Sequence, residues 1–274
     1  MKRVTVVRGW GPENLCGAIW EKYHSYIPKE FTDNPDYNYD GGNLLSLPLI
    51  PDSPELKEVL EIWDTTGSRP RLFSRVHYSK NEIEKTKYFR LIEAAPLEWE
   101  GKNAANYGTQ YYNRCPHCKR GGSRNGRLLV DRKFVKNKKF GTLFPDWFAS
   151  EETRIIVETN ELTGISFGDP VLDYKGREID RLYAVQFDNV LPPLSKKTFL
   201  EPYDKCEICG RQITYLCSDL QYESEKLEGA KDFNITIEKL DNFYMPCIVV
   251  SAKVRDVFKK GGIRQARFDP IALL

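Results

Sequence analysis

The 274-residue chain has no apolar run near the roughly 18 residues that a membrane span requires. Its start, MKRVTVVRGWGPENL, lacks the apolar core and the small-residue cleavage site of an export signal. A cytoplasmic protein is therefore expected. Histidine is scarce, with three in all, His24, His77 and His117, and none falls in a Ser/His/Asp or Cys/His pattern that would pair a nucleophile with its base. The phosphate-cradling GxxxxGK[ST] loop and the HExxH helix of zinc proteases are both missing. With these gone, no enzyme class has support in the sequence, and a protein that is not an enzyme is expected. Excess charge of either sign is also lacking, since 41 Lys and Arg against 39 Asp and Glu leave +2. What remains has the composition of a globular protein, long enough to bury one large core or two ordinary ones.

The near-zero charge hides a segregation. Between Arg114 and Lys139 stand ten cations (Arg114, Lys119, Arg120, Arg124, Arg127, Arg132, Lys133, Lys136, Lys138, Lys139) against one acid, Asp131, so the segment carries +9 and the remainder −7. Such a stripe is a solvated loop, a phosphate-binding surface, or a face for an acidic protein.

Local signals place a scaffold in the first hundred residues. RVTVV reads as a strand. PDSPELKEVLEIWDTTG reads as a helix, with Asp52 or Ser53 as cap, Pro54 in the first turn, Gly67 as stop, and Leu56, Val59, Leu60 and Trp63 on one face. Ser79 and Glu82 form a capping-box pattern after a short strand. DYNYDG, from Asp36 to Gly41, matches the front of a calcium loop, but Leu47 stands where a bidentate Glu is needed, so a turn-rich loop is expected.

The second half contains an internal repeat. Residues 144–171 and 245–271 align at an offset of 101: Pro145 with Pro246, Ser150 with Ser251, Arg154 with Arg255 and Phe167 with Phe268, and then, one residue out, Asp169-Pro170 with Asp269-Pro270. Each copy predicts an apolar strand, a Ser cap, a short helix, an Asn or Gly stop and a second strand.

Upstream of each copy lies a C-x-x-C pair, Cys115 with Cys118 in CPHCKRGG and Cys206 with Cys209 in CEICGRQ. In a reducing compartment such clustering points to metal or redox chemistry rather than structural disulfides. Two knuckles supply the four thiolates of one closed structural zinc site. The 87 residues between Cys118 and Cys206 do not exclude sharing. Lengthening a loop from about 15 to 87 residues costs roughly 1.6 kcal/mol, against about 10–16 kcal/mol for zinc in finger peptides. The rival is redox, because Cys-Pro-His-Cys is also the active-site tetrapeptide of periplasmic thiol oxidases. Those need the first cysteine at a helix N-terminus, and KRGGSRNGR is a poor helix. His117 is an alternative ligand inside the first knuckle. Cys16, Cys217 and Cys247 lie in or beside apolar stretches and read as small buried hydrophobes.

Two C-x-x-C knuckles about ninety residues apart, followed by the strand, Ser-capped helix and ARFDPI ending, resemble the double-CXXCG motif immunity proteins of bacterial polymorphic-toxin systems. The similarity covers roughly Tyr111 to the C-terminus, and only the second knuckle has Gly directly after its second Cys. The resemblance implies zinc on Cys115, Cys118, Cys206 and Cys209, a cognate protein toxin as partner, and neutralisation by binding. The expectation is an α+β fold with mixed sheets, a duplicated strand-helix-strand unit and a zinc-ribbon-like four-cysteine site, divided into a lobe at 1–110 and a zinc-stapled module at 111–274. The alternative is a zinc-ribbon nucleic-acid-binding protein that uses segment 114–139 on phosphates and Tyr107, Tyr111 and Tyr112 for stacking.

Overall fold

The structure, a computed structural model, describes residues 2–32, 39, 41–67, 69–93, 109–143, 145–240 and 244–274. Asp36, Asn38 and Asp40, the oxygen-ligand positions of the calcium-like loop, and Tyr107 lie outside the described residues. The chain is mixed α+β and divides into two compact units. The first comprises Met1–Lys85 with Thr198–Leu200 and Leu216–Asp219, and the second holds the rest.

In the first unit the order is β1 (Lys2–Trp10), α1 (Glu13–Tyr23), β2 (Leu44–Leu49), α2 (Pro54–Asp64), β3 (Arg71–His77) and α3 (Lys80–Lys85). The strands form an antiparallel sheet in the order β2-β1-β3. β1 alternates across its two faces: Val4 and Val6 pack with Phe31, whereas Val7 joins Leu45, Leu47, Leu49 and Trp63 in the larger core. Ser53 caps α2, its Oγ accepting the Leu56 N–H at 3.2 Å, and Leu56, Val59 and Trp63 are buried. The capping box of α3 is reciprocal, with Ser79 Oγ accepting from Glu82 N–H at 3.3 Å and the Glu82 carboxylate accepting from Ser79 N–H at 2.8 Å.

The second unit begins with β4 (Tyr88–Glu93), β5 (Gln110–Tyr112), β6 (Ser123–Asn125), β7 (Leu129–Val130), α4 (Arg132–Val135), β8 (Phe140–Leu143), β9 (Asp146–Ser150), α5 (Glu151–Thr159), β10 (Ile165–Asp173) and β11 (Glu178–Phe187). It continues with β12 (Leu200–Lys205), β13 (Gln212–Leu216), β14 (Gln221–Tyr222), β15 (Phe233–Leu240), β16 (Met245–Ser251), α6 (Ala252–Lys260), β17 (Ala266–Pro270) and β18 (Ala272–Leu273). Two larger sheets run β7-β10-β11-β9-β8 and β15-β16-β4-β17. In both, a hairpin (β8-β9 or β15-β16) leads into a helix and then a strand, and one antiparallel strand fills the gap between the strands flanking the helix. That inner strand is β11 in the first sheet and β4 in the second. The boundary expected near residue 110 therefore falls by contacts at Lys85/Thr86, because β4 pairs with residues more than 150 positions later.

The local chemistry of the two helices also corresponds. Ser150 Oγ accepts the Thr153 N–H and Ser251 Oγ the Val254 N–H. At the other ends Glu161 (φ 50°) and Gly262 (φ 66°) are left-handed, and the next residues, Leu162 and Ile263, donate back to the carbonyls of Val157 and Phe258. Phe140, Phe233 and Phe258 are fully buried, and Phe258 makes ring contacts with the other two. Leu128, Val130, Phe148, Val171 and Ala184 form a second buried cluster. Among the described residues no helix is long and apolar enough to cross a membrane.

Candidate metal centre

Each cysteine pair sits between the strands of a small two-stranded sheet, β5-β6 for Cys115 and Cys118 and β12-β13 for Cys206 and Cys209. The reversals use the same bonds. Cys115 N–H donates to the Arg120 carbonyl at 3.2 Å and Cys206 N–H to the Arg211 carbonyl at 2.9 Å, while Lys119 and Gly210 donate back to the carbonyls of Cys115 and Cys206. The residue after the second cysteine is left-handed in both, at φ 57° for Lys119 and 69° for Gly210. The motif's missing glycine is thus met by a lysine held in the conformation that glycine adopts freely.

The four sulfurs converge. Cys115 and Cys206 Sγ are 3.8 Å apart, Cys118 and Cys209 Sγ are 3.7 Å apart, and all four ligand atoms lie within 4.8 Å of one another. A tetrahedral ion with metal–sulfur bonds of about 2.3 Å requires sulfur–sulfur edges of about 3.8 Å. The donor set therefore fits a tetrathiolate metal. Cys115 and Cys206 are buried and the other two half-buried. The backbone N–H groups of Cys118 and His117 point at the Cys115 sulfur and hold its pKa down to about 6, and those of Cys209 and Ile208 lower Cys206 in the same way. Burial pushes the Cys118 thiol up to about 11. Four sulfurs this close cannot all ionise without a cation among them, which a bound divalent metal supplies. Among the described residues this is the only group of three or more His, Cys, Asp or Glu able to hold a metal ion, and His117 is not in it.

Two arginines tie the knuckles to each other. Arg211 donates from Nη1 to the Arg120 carbonyl at 3.0 Å and from Nη2 to the Asn113 carbonyl at 3.4 Å. Arg120 Nη1 in turn lies 3.8 Å from the Asp204 carboxylate. A Cβ on Gly121 would come within 2.8 Å of the Arg211 guanidinium, so glycine keeps the path of that side chain open. The same offset of 91 relates Asn113 to Asp204, both cysteines of one pair to those of the other, and Arg120 to Arg211. The signal was present in the sequence as NRCPHCKR beside DKCEICGR, but the arginines carry no recognisable role until the loops face each other. The sulfur pairs at 3.8 and 3.7 Å run between the knuckles, and neither first cysteine opens a helix, as a thiol oxidase requires. Cys16, Cys217 and Cys247 are all buried and outside the cluster.

The basic segment is largely neutralised inside the second unit. Arg124 pairs with Asp146 at 3.3 Å, Arg127 with Glu178 at 2.8 Å, Arg132 with Asp173 at 3.1 Å, and Lys133 with Asp131 at 3.5 Å. Lys139 binds Glu152, and Arg120 faces Asp204. Asp173 is the most buried of these acids and also accepts from the backbone N–H groups of Lys175 and Arg177. Six of the ten cations thus have acidic partners, five of them acids outside the segment. In comparisons with known proteins, no family model matches the chain and no curated protein is significantly similar to it.

Proposed function

We propose that the chain is a cytoplasmic immunity protein that binds and neutralises a cognate bacterial toxin domain, on a scaffold held by a structural zinc at Cys115, Cys118, Cys206 and Cys209. The observation that carries this reading is the four-sulfur cluster, with sulfurs 3.7 and 3.8 Å apart across the knuckles and all four within 4.8 Å of one another. Four thiolates fill every coordination position and leave none for water or substrate, so the metal is a staple and not a catalyst. A cross-tied, metal-stapled body with exposed loops suits a protein that acts by fitting another surface. The resemblance to the double-CXXCG family adds the partner class.

We further infer that the second unit is two copies of one zinc-ribbon-like module. Three sets of correspondences support the duplication: the knuckles, the caps of α5 and α6, and the strand registers. β11 meets β9 with Leu182 opposite Ser150 and Val185 opposite Trp147, and β4 meets β16 with Tyr88 opposite Ser251 and Leu91 opposite Ile248. Across the gap Val185 faces Phe167 and Leu91 faces Phe268. One alignment satisfies all of these pairs. The repeating order is then inner strand, knuckle, hairpin, helix, strand, with the inner strands exchanged: β4, leading the first copy, pairs in the second sheet, and β11, leading the second, pairs in the first.

The test is coexpression with candidate toxin domains, starting with those encoded beside the gene. Protection against one toxin and not against unrelated ones, together with a stable complex of the two purified proteins, is the expected result. Salt-sensitive, sequence-independent binding of random DNA or RNA without any protection would support the nucleic-acid reading instead. The pairing of most of the basic stripe with protein carboxylates weighs against that alternative, since a cation held by a carboxylate must break that contact to reach a phosphate.

A further inference from the structure

Beside the first knuckle, where the β8-β9 and β15-β16 hairpins come together, the second unit contains a cavity of about 440 Å³. Its size lies in the range of pockets that enclose a side chain or small ligand. Its floor is apolar, with Trp147, Phe187, Ile235 and Ile248, and the rings of Trp147 and Phe187 meet edge to face with centroids 5.9 Å apart. Cations stand around it: Arg114 and Lys119 from the knuckle, and Lys239 from the end of β15. Lys119 and Lys239 are exposed, Lys239 lies over the Tyr244 ring and Arg114 over the Tyr111 ring. Among the described residues the single carboxylate on the wall is Asp146, which accepts the Tyr111 hydroxyl at 2.7 Å and faces Arg124 Nε at 3.3 Å. The result is an apolar floor within a positive rim.

We propose that this cavity is an anchor site for an acidic protein segment in which a large apolar side chain, phenylalanine or its like, is flanked by aspartate or glutamate. The proposal rests on the immunity reading for the source of that segment, the toxin, but not for the chemistry of the site. The apolar side chain meets the apolar lining, and its acidic neighbours meet the cations of the knuckle and of β15. Trp, Tyr and Arg are the residue types that carry most binding energy at interfaces, and a pocket braced by a metal knuckle is pre-organised for an anchor. A nucleotide suits the site less. Its base would bury hydrogen-bonding edges against apolar residues, with Gln186 the one side-chain amide among the described lining residues.

The experiment uses the full zinc-loaded chain and a labelled peptide, acetyl-Asp-Glu-Phe-Asp-Glu-amide, followed by fluorescence anisotropy. Binding that weakens with salt is expected. A loss of roughly tenfold or more should follow from changing the peptide Phe to Ala, or from the protein variant Lys119→Glu/Lys239→Glu. Both lysines are surface residues, but Lys119 follows Cys118 in the knuckle, so metal content is measured for the double variant and Lys239→Glu alone, outside the knuckle, is run beside it and should also weaken binding; Trp147→Ala is a secondary probe because that ring also packs against Phe140. Absence of peptide binding up to millimolar concentration, equal binding by the charge-reversed variant, or binding of adenosine monophosphate where the peptide does not bind would each overturn the proposal. Protection of cells that persists undiminished in the charge-reversed variant overturns the pocket and leaves the immunity reading standing. Peptide binding by a chain that protects against no toxin upholds the pocket and overturns that reading.

Discussion

Stripping the metal should lower the melting temperature of the second unit by a bounded amount. Zinc in finger peptides contributes about 10–16 kcal/mol, and the longer loop here removes roughly 1.6 kcal/mol, leaving about 8–14 kcal/mol. No further ordering cost is deducted, because the sulfurs already stand 3.7 and 3.8 Å apart across the two knuckles. The weak end of that range corresponds to a Kd of about 1 μM. At about 100 μM free zinc the folded state then gains about 2.7 kcal/mol over the metal-free chain. For a unit of roughly 180 residues, each kcal/mol moves the midpoint by about 2–4 °C. The minimum shift is therefore about 5–10 °C between zinc-saturated and chelated protein under reducing conditions, followed by circular dichroism. Elemental analysis should give one metal per chain and distinguish zinc from iron, which the same four thiolates also accept. Superposable melting curves, or metal content unchanged in Cys206→Ser, would refute a shared structural site. Two metals per chain would mean that each knuckle completes its own ligand set.

Gly164 has φ +83°, and a Cβ there would come within 2.0 Å of the Phe233 carbonyl oxygen, so Gly164→Ala should destabilise by on the order of 3 kcal/mol or more in urea titrations. Glu161→Gly should stabilise by about 1 kcal/mol, because Glu161 sits at φ 50° at the end of α5, where glycine is free of strain; Gly262→Ala, at φ 66° after α6, should cost about as much. Burial alone would raise the pKa of Asp173, but the N–H groups of Arg177 and Lys175 and the guanidiniums of Arg177 and Arg132 outweigh it and hold the carboxyl well below the usual range. Since the folded pKa is depressed, the stability from this group is complete above the unfolded value of about 4 and is lost as pH falls below it. Asp173→Asn should be less stable than the parent at pH 7 and show a flatter acid limb, and equal slopes for the two proteins below pH 4 would discount the contacts around Asp173.

The parts of this architecture that were legible in the sequence are those whose causes lie within a few residues. A serine before a helix, a glycine or asparagine after it and a cysteine pair in a turn each act over one turn of chain, so the caps Ser53, Ser79, Ser150 and Ser251 read correctly, and the four cysteines singled out do come together in a group that could hold a metal ion. Partners far along the chain did not read. Nothing local to YFRLI in β4 says that it pairs with Val250 on one side and Phe268 on the other. The basic stripe looked like an open charged surface because its acids arrive from elsewhere: Asp173 is 41 residues from Arg132, and Glu178 is 51 from Arg127. Charge counted along a sequence overstates charge presented to a partner whenever folding brings in opposite charges.

The proposed strand exchange explains why one metal and two knuckles belong to the same design. If each copy kept its own inner strand, it would be a closed module, and the two could drift apart with half a metal site each. With β4 and β11 exchanged, neither sheet is complete until both copies are present, and each inner strand hydrogen-bonds to two strands of the other copy. The same event brings the two C-x-x-C turns together, each contributing two sulfurs to a set that one turn cannot close. The bonds from Arg211 to the Asn113 and Arg120 carbonyls also link the two turns. On this proposal, metal binding would report on assembly of the whole unit.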